Sequence, residues 1–372
     1  GAPPRKVLEY QWQLMQLIER QPARFMNREL ADAHGTGAPS RMRAAAAEVA
    51  PFVGCPPDDF LFVDNITEGV NAVVKSYPLA PGDQVFVTSL GYGGVTRAAG
   101  FAARQAGAEF HTIAMPPIGS PAGAFVAAVA DGLAEHPGNS TRLLLVDHIA
   151  SQTALLLPLA EIATVAHSAG CLVLADGAHV PGQIPLDVPS LGVDWYTANL
   201  HKWAWAPRSA GFLWAAPDQR AHLRPVVTSW GLDLGLTAEF DLPGTHDPTA
   251  FLAAPFAIDL MRSYGLDAVH TYNHELAWWA GQFLSDSWGV PFTTPEAMVA
   301  AMVTVRLPDF VPATADAAAA TYRALEDAGI EAAVYPPGEG GDPGVTLRVC
   351  AQIYNDRADL DRLAAAVLGL RP

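Results

Sequence analysis

Between residues 60 and 214 one pattern repeats: short, nearly continuous apolar runs separated by segments of helical periodicity. Strands are read at 60–63, 84–88, 109–113, 143–147, 171–175, 193–197 and 211–214, seven in all. A strand that is apolar on both sides must be covered on both sides, and helices alternating with such strands give a mostly parallel sheet between helical layers. Helical patterns are read at 67–77, 96–106 and 159–168, and ahead of the sheet at 5–20 and 40–53, where Ser40 is a candidate N-cap. After residue 215 the pattern changes. Helices are expected at 255–264, 270–285, 314–328 and 357–368, with strands at 302–307, 331–335 and 345–349, a small C-terminal α+β domain. The organisation expected is an N-terminal helical segment 1–40, a large α/β domain 41–250, and a helical connection with the small domain over 251–372.

Composition narrows the function. The formal net charge is −16 and no Lys/Arg-rich run occurs, which argues against nucleic acid and against a polybasic membrane contact. Cys55, Cys171 and Cys350 are isolated, so neither a disulfide framework nor a zinc site is expected. No run of about 18 uncharged apolar residues is present, so no membrane helix is expected. The N-terminal residues lack a charged region followed by an apolar one, so no signal peptide is expected there, and a reducing cytoplasm is the expected setting.

Lysine is scarce: Lys6, Lys75 and Lys202 are the three in the chain. Lys6 belongs to the N-terminal helix and Lys75 to the late part of the 67–77 helix, away from any strand end. Lys202 closely follows the strand 193–197, and Asp176 ends the preceding buried strand in Asp176-Gly177-Ala178-His179. Ligands of an open α/β sheet bind beyond the carboxyl ends of its strands, so Asp176, Asp147, Thr67 and Lys202 can converge on one rim. An amine and a carboxylate there fit pyridoxal phosphate chemistry: the amine forms a Schiff base with the aldehyde, and the carboxylate keeps the pyridine nitrogen protonated. Singly, each residue has an ordinary explanation. Asp176 can be a helix cap, Lys202 a solvated surface group, His179 a helix-start residue and Tyr92 a loop aromatic. Their joint occurrence in a lysine-poor chain carries the reading.

The segments Asp64-Asn65-Ile66-Thr67-Glu68-Gly69-Val70-Asn71, Asp176-Gly177-Ala178-His179, Gly192 through Trp203, Ser229-Trp230-Gly231, Gly244-Thr245-His246-Asp247, and Leu347-Arg348-Val349 with Tyr354-Asn355 resemble the class V aminotransferase superfamily of fold type I pyridoxal-phosphate enzymes, in particular its isopenicillin N epimerase-like branch. The resemblance spans nearly the whole chain, and the block around Lys202 is its most specific part. It implies that Thr67 and the Glu68 amide hold the cofactor phosphate at a helix N-terminus, with Asn199 and His201 as further donors. It implies that Tyr92 stacks on the pyridine face, that Ser151 and His179 lie near the ring hydroxyl, and that Thr245 reaches the phosphate of a neighbouring subunit, hence a homodimer with shared active sites. Arg348 would clamp a substrate carboxylate, with a structural ion pair as the other option. The chain departs from the family in three places. The family's Asn/His-Gly-Ser-Phe-like segment would stand just before Gly1. His246 takes the place of a frequent Arg. No Cys lies between Tyr335 and Arg348, so persulfide chemistry on a mobile-loop cysteine is not expected.

The reaction expected begins with displacement of Lys202 by an amino-acid amine and removal of the Cα proton. β-Elimination of a sulfur group from a cysteine-derived substrate, a C–S lyase reaction, is the first expectation because it needs a single base. Epimerisation, transamination, decarboxylating deamination and a non-catalytic pyridoxal-phosphate-binding role are the alternatives.

Overall fold

The computed structural model describes residues 1–31, 40–138, 140–338 and 341–371. Residues 32–39 of the expected N-terminal segment, two residues of the stretch between Tyr335 and Arg348, and Pro372 lie outside the described residues. The large sheet holds seven strands: β1 (Leu61–Val63), β2 (Gln84–Thr88), β3 (Glu109–Ile113), β4 (Arg142–Asp147), β5 (Leu172–Asp176), β6 (Trp195–Asn199) and β7 (Gly211–Ala215). Their order is β1-β7-β6-β5-β4-β2-β3. β3, β2, β4, β5 and β6 run parallel, and β7 is antiparallel to both β6 and β1. The reversal at β7 has a steric cause. A parallel crossover needs a dozen or more residues, and the link from Asn199 to Gly211 holds only a short helix, Leu200–Trp203, and a turn.

Except for the edge strand β3, which is largely exposed and mixed in character, the strands are buried and mostly apolar because both faces are covered. Phe62, Phe86, Leu144, Val173, Tyr196 and Phe212 point into one core with the N-terminal helix Arg5–Arg20 and the helix Thr249–Ser263. Leu61, Val85, Leu145, Leu174, Trp195 and Leu213 point into the other, beneath the helices Ile66–Ser76 and Gly93–Ala106. A helix that the apolar pattern does not announce, Ala122–Ala134, follows β3. Its alanines and glycines give little contrast between faces, although Phe125, Val129 and Leu133 line its buried side.

The helix Leu266–Trp288 starts against this core with Val269 and continues into the small domain with Leu276, Leu284 and Trp288. There β8 (Met302–Arg306), β9 (Ala333–Tyr335) and β10 (Thr346–Cys350) form an antiparallel sheet in the order β8-β10-β9. The helices Ala315–Asp327 and Arg357–Leu368 complete it, the second opened by an Asp356/Asp359 capping box. Among the described residues no helix is long and apolar enough to cross a membrane.

One close approach sets where the site forms. The helix Ile66–Ser76 lies so near β6 that a Cβ on Gly69 would stand 2.1 Å from Thr197 Oγ1. Gly69→Ala is therefore expected to lower stability by about 1–3 kcal/mol. Gly123→Ala, at an exposed helix position where a Cβ meets nothing within 4 Å, should leave stability unchanged or raise it by up to about 1 kcal/mol. Urea unfolding of both variants checks the pair, and equal effects would contradict the steric account.

Candidate active site

The carboxyl ends of β4, β5 and β6 lie side by side. Asp147 is the register partner of Asp176, and Asp176 of Thr197, so the two carboxylates project from neighbouring strands toward the face covered by the helix Ile66–Ser76. Both are buried, at 3% exposure each. Asp176 Oδ1 accepts from the Ala178 amide at 2.9 Å, which starts the turn leading to His179. Asp176 Oδ2 is buried with no partner. Burial pushes the Asp176 carboxyl up to about 6, with Lys202 and the Ala178 amide pulling the other way. Burial, then repulsion from Asp176, pushes Asp147 well above the ordinary carboxyl range, although the Tyr92 amide donates to it. Of the two, Asp147 is pushed up by both burial and its charged neighbour, Asp176 by burial alone.

On the opposite face of the sheet Tyr196 packs against Gly177, next to Asp176. The Tyr196 hydroxyl lies 3.1 Å from His148 Nδ1, and burial holds that imidazole neutral by lowering it to about 4. Gly177 leaves room for Tyr196, since a Cβ there would stand 2.3 Å from the hydroxyl. Nothing in the spacing of the sequence announces this arrangement, because it joins residues just after β4 and β5 with one early in β6.

Lys202 sits on the short helix after β6, with its Nζ 3.1 Å from His179 Nε2. Burial lowers the amine below its ordinary value and Arg348 adds to this, while Asp176 and Asp147 oppose it. Burial also lowers His179 well below its ordinary value, with the Lys202 and Arg348 charges adding to the effect. Trp203 Nε1 donates to His179 Nδ1 at 3.3 Å. Gln183 ties the His179 carbonyl, at 2.6 Å, to the Ala301 amide just before β8, at 2.8 Å. Sequence reasoning named His179 but neither of these partners. Trp203 carries a signal in hindsight, as the residue beside the lysine.

At the other end of the rim is the N-terminus of the helix Ile66–Ser76. Asn65 caps it through the Glu68 amide at 3.1 Å, and Asn199 Oδ1 accepts from the Ile66 amide at 2.9 Å. The Asn199 oxygen therefore fastens the helix to β6, a task additional to the phosphate role implied by the resemblance. Thr67 is exposed at this end. Glu68 receives the Asp64 amide, and burial raises its carboxyl. His201 Nδ1 is engaged by the Ala210 backbone, 2.7 Å from its carbonyl and 3.0 Å from its amide, and burial lowers the imidazole to about 4.

Arg348, from β10, reaches across from the small domain. It donates to the Ser151 carbonyl and lies 3.3 Å from the Ser151 hydroxyl. Its guanidinium lies over the Tyr335 ring, and its Nε is buried without a partner. Tyr92 is 44% exposed at the start of the helix Gly93–Ala106, next to Asp147 through its backbone. Thr245 lies on the loop before the helix Thr249–Ser263. It lines a groove of about 660 Å³ with Trp12, Met15 and His246.

The donor set fits pyridoxal phosphate. An unpaired, ionised carboxylate oxygen buried at a strand end suits a protonated ring nitrogen, a helix N-terminus suits a phosphate, and a buried amine suits an aldehyde. Comparison with known proteins agrees. The aminotransferase class-V family model matches residues 26–363. The isopenicillin N epimerase of Streptomyces clavuligerus is 30% identical over 99% of this chain and 92% of its own length. A probable chloroplastic L-cysteine desulfhydrase of Arabidopsis thaliana is 30% identical over 100% of this chain and 81% of its own. Among solved structures, the cystine C-S lyase C-DES in complex with its product cysteine persulfide superposes with a TM-score of 0.78 at 21% identity, covering 100% of this chain and 95% of that one, a likeness of fold. The chain belongs to the aminotransferase class-V family and is a pyridoxal-phosphate-dependent enzyme of fold type I.

Proposed function

We propose that this enzyme is a C–S lyase that performs β-elimination on a cysteine-derived amino acid. The observation that carries the reading is the contact of Lys202 Nζ with His179 Nε2 at 3.1 Å beside the unpaired Asp176 oxygen: one basic amine with one neighbouring imidazole, which is all that elimination requires. Bound pyridoxal phosphate supplies an aldehyde for the amines and a ring that accepts electrons from Cα. Asp176 Oδ2 would hold the ring nitrogen, and the N-terminus of the helix Ile66–Ser76, with Thr67, Asn199 and His201 nearby, would hold the phosphate. Tyr92 would cover the ring, and Ser151 and His179 would border its hydroxyl. Arg348 would take the substrate carboxylate in its planar fork and so orient the Cα–H bond toward Lys202. Lys202 takes the Cα proton, the Cβ–S bond breaks, the thiolate leaves, and the three-carbon remainder hydrolyses to pyruvate and ammonia. The desulfhydrase relative supports this order of preference. A homodimer is part of the same reading. Trp230 is 85% exposed, and Leu234, Val227 and Trp12 are also exposed. A second copy covering them would bring the Thr245 loop to the neighbouring phosphate site.

Epimerisation is the second reading, favoured by the Streptomyces relative. The two separate on products. Incubation with cysteine, cystine and S-substituted cysteines is expected to release pyruvate, with no release by Lys202→Ala. Inversion at Cα with solvent deuterium uptake and intact substrate would refute elimination.

Arg348→Ala should raise KM for the substrate on the order of 100-fold through loss of a charge-assisted pair, and a KM within threefold of the parent would remove the carboxylate role. Asp176 should oppose stability and function to each other. Its folded carboxyl titrates near 6, above an unfolded value of about 4. The folded state therefore binds the proton more tightly, and the penalty grows as pH rises from about 4 to 6 and is complete above that. In the cofactor-free chain Asp176→Asn is expected to raise Tm at pH 8 by several degrees, for a gain on the order of 1–2 kcal/mol, with little gain at pH 4. The same substitution should abolish turnover.

A further inference from the structure

The hydrogen-bond chain through His179 determines the state of the lysine. An indole N–H can only donate, so His179 Nδ1, 3.3 Å from Trp203 Nε1, must accept and carries no proton. A neutral imidazole bears one proton, which then resides on Nε2. That nitrogen lies 3.1 Å from Lys202 Nζ, so the bond between them runs from the imidazole N–H to the amine, which must offer a lone pair. An ammonium would bring two donors face to face. We propose that Trp203 is a positioning residue: by donating to His179 Nδ1 it keeps the imidazole proton on Nε2 and so holds Lys202 as an unprotonated amine, ready to act as nucleophile and base.

The surroundings make Trp203 suited to this. It is 4% exposed and packs with Val180, Ala300, Ala301 and Met302. The turn at Gly182 presses on its backbone so closely that a Cβ there would stand 2.5 Å from the Trp203 carbonyl. His179 is held from the other side by Gln183, which also grips Ala301. The indole and imidazole are thus fixed relative to each other by the seam between the domains. The charged or titratable groups facing Lys202 are Asp176 from β5, Asp147 from β4, Arg348 and Cys350 from β10, His201 from its own helix and the Gly1 amino group. The Gly1 amino group donates to the Lys202 carbonyl. These act on the amine through their fields, whereas His179 touches its nitrogen. The inference rests on Lys202 being the reactive amine of the proposed function.

Two measurements on the cofactor-free chain test it. With ¹⁵N-histidine labelling, and His179→Gln to assign the signals, His179 in the parent chain should show a pyridine-like Nδ1 and a pyrrole-like Nε2 at neutral pH. The opposite tautomer, or an even mixture, would overturn the proposal. With lysine-selective labelling, three lysines give few signals to resolve, and Lys202→Met assigns the one of interest. Trp203→Phe keeps a ring but removes the donor. It frees His179 Nε2 to accept from an ammonium, so the Lys202 midpoint should rise on the order of one pH unit, a tenfold gain in proton affinity. An unchanged midpoint in a folded variant would overturn the role. If circular dichroism finds that variant unfolded, the parent tautomer decides alone. Neither readout involves the cofactor. If the parent chain developed no visible band on adding pyridoxal phosphate, the functional reading would fall, separately from these results.

Discussion

The structure is organised around two carboxyl groups buried next to each other at the ends of β4 and β5. Carboxylates in such a place cost stability unless they are neutralised or paired. Here the cost is divided unequally. Asp147 meets the Tyr92 amide while burial and Asp176 raise its carboxyl, and Asp176 has one oxygen on the Ala178 amide and the other unpaired. A half-satisfied buried anion is what a binding site for a cationic ring nitrogen requires, and much of the rim serves to keep it so. The Tyr196–His148 pair closes the opposite face, and the bulk of Tyr196 is tolerated because residue 177 is glycine.

Lys202 belongs to the same electrostatic unit. The carboxylates favour its charged form, while burial and Arg348 favour the neutral one. The imidazole of His179 adds a directional preference to this balance, because a hydrogen bond distinguishes donor from acceptor where a field does not. Catalytic amines in low-dielectric sites are commonly tuned in this way.

The small domain completes the site instead of merely covering it. Arg348 docks on Ser151, Thr304 Oγ1 donates to the Gln152 carbonyl at 2.6 Å, and the Leu156 amide reaches the Met298 carbonyl at 2.9 Å. With Gln183 on Ala301, these contacts put the lip of the large sheet and the edge of the small one in fixed register. Such rigid support around reacting groups is the structural form of preorganisation.

What the sequence determined by itself was local or compositional. Doubly covered strands must be apolar on both sides, so apolar runs announced most of the large sheet, the exposed edge strand β3 excepted, and scarcity of lysine singled out Lys202. Asp176 was legible because a charged residue ends an apolar run. The helix Ala122–Ala134 was not, although Phe125, Val129 and Leu133 recur at helical spacing, because the alanines and glycines around them dilute the contrast. The tertiary structure alone decided the strand order, the pairing of Asp147 with Asp176 and the chain from Trp203 through His179 to Lys202. Each of these joins residues distant in sequence through the adjacency of β4, β5 and β6. That adjacency comes from packing the whole sheet, which no local pattern encodes.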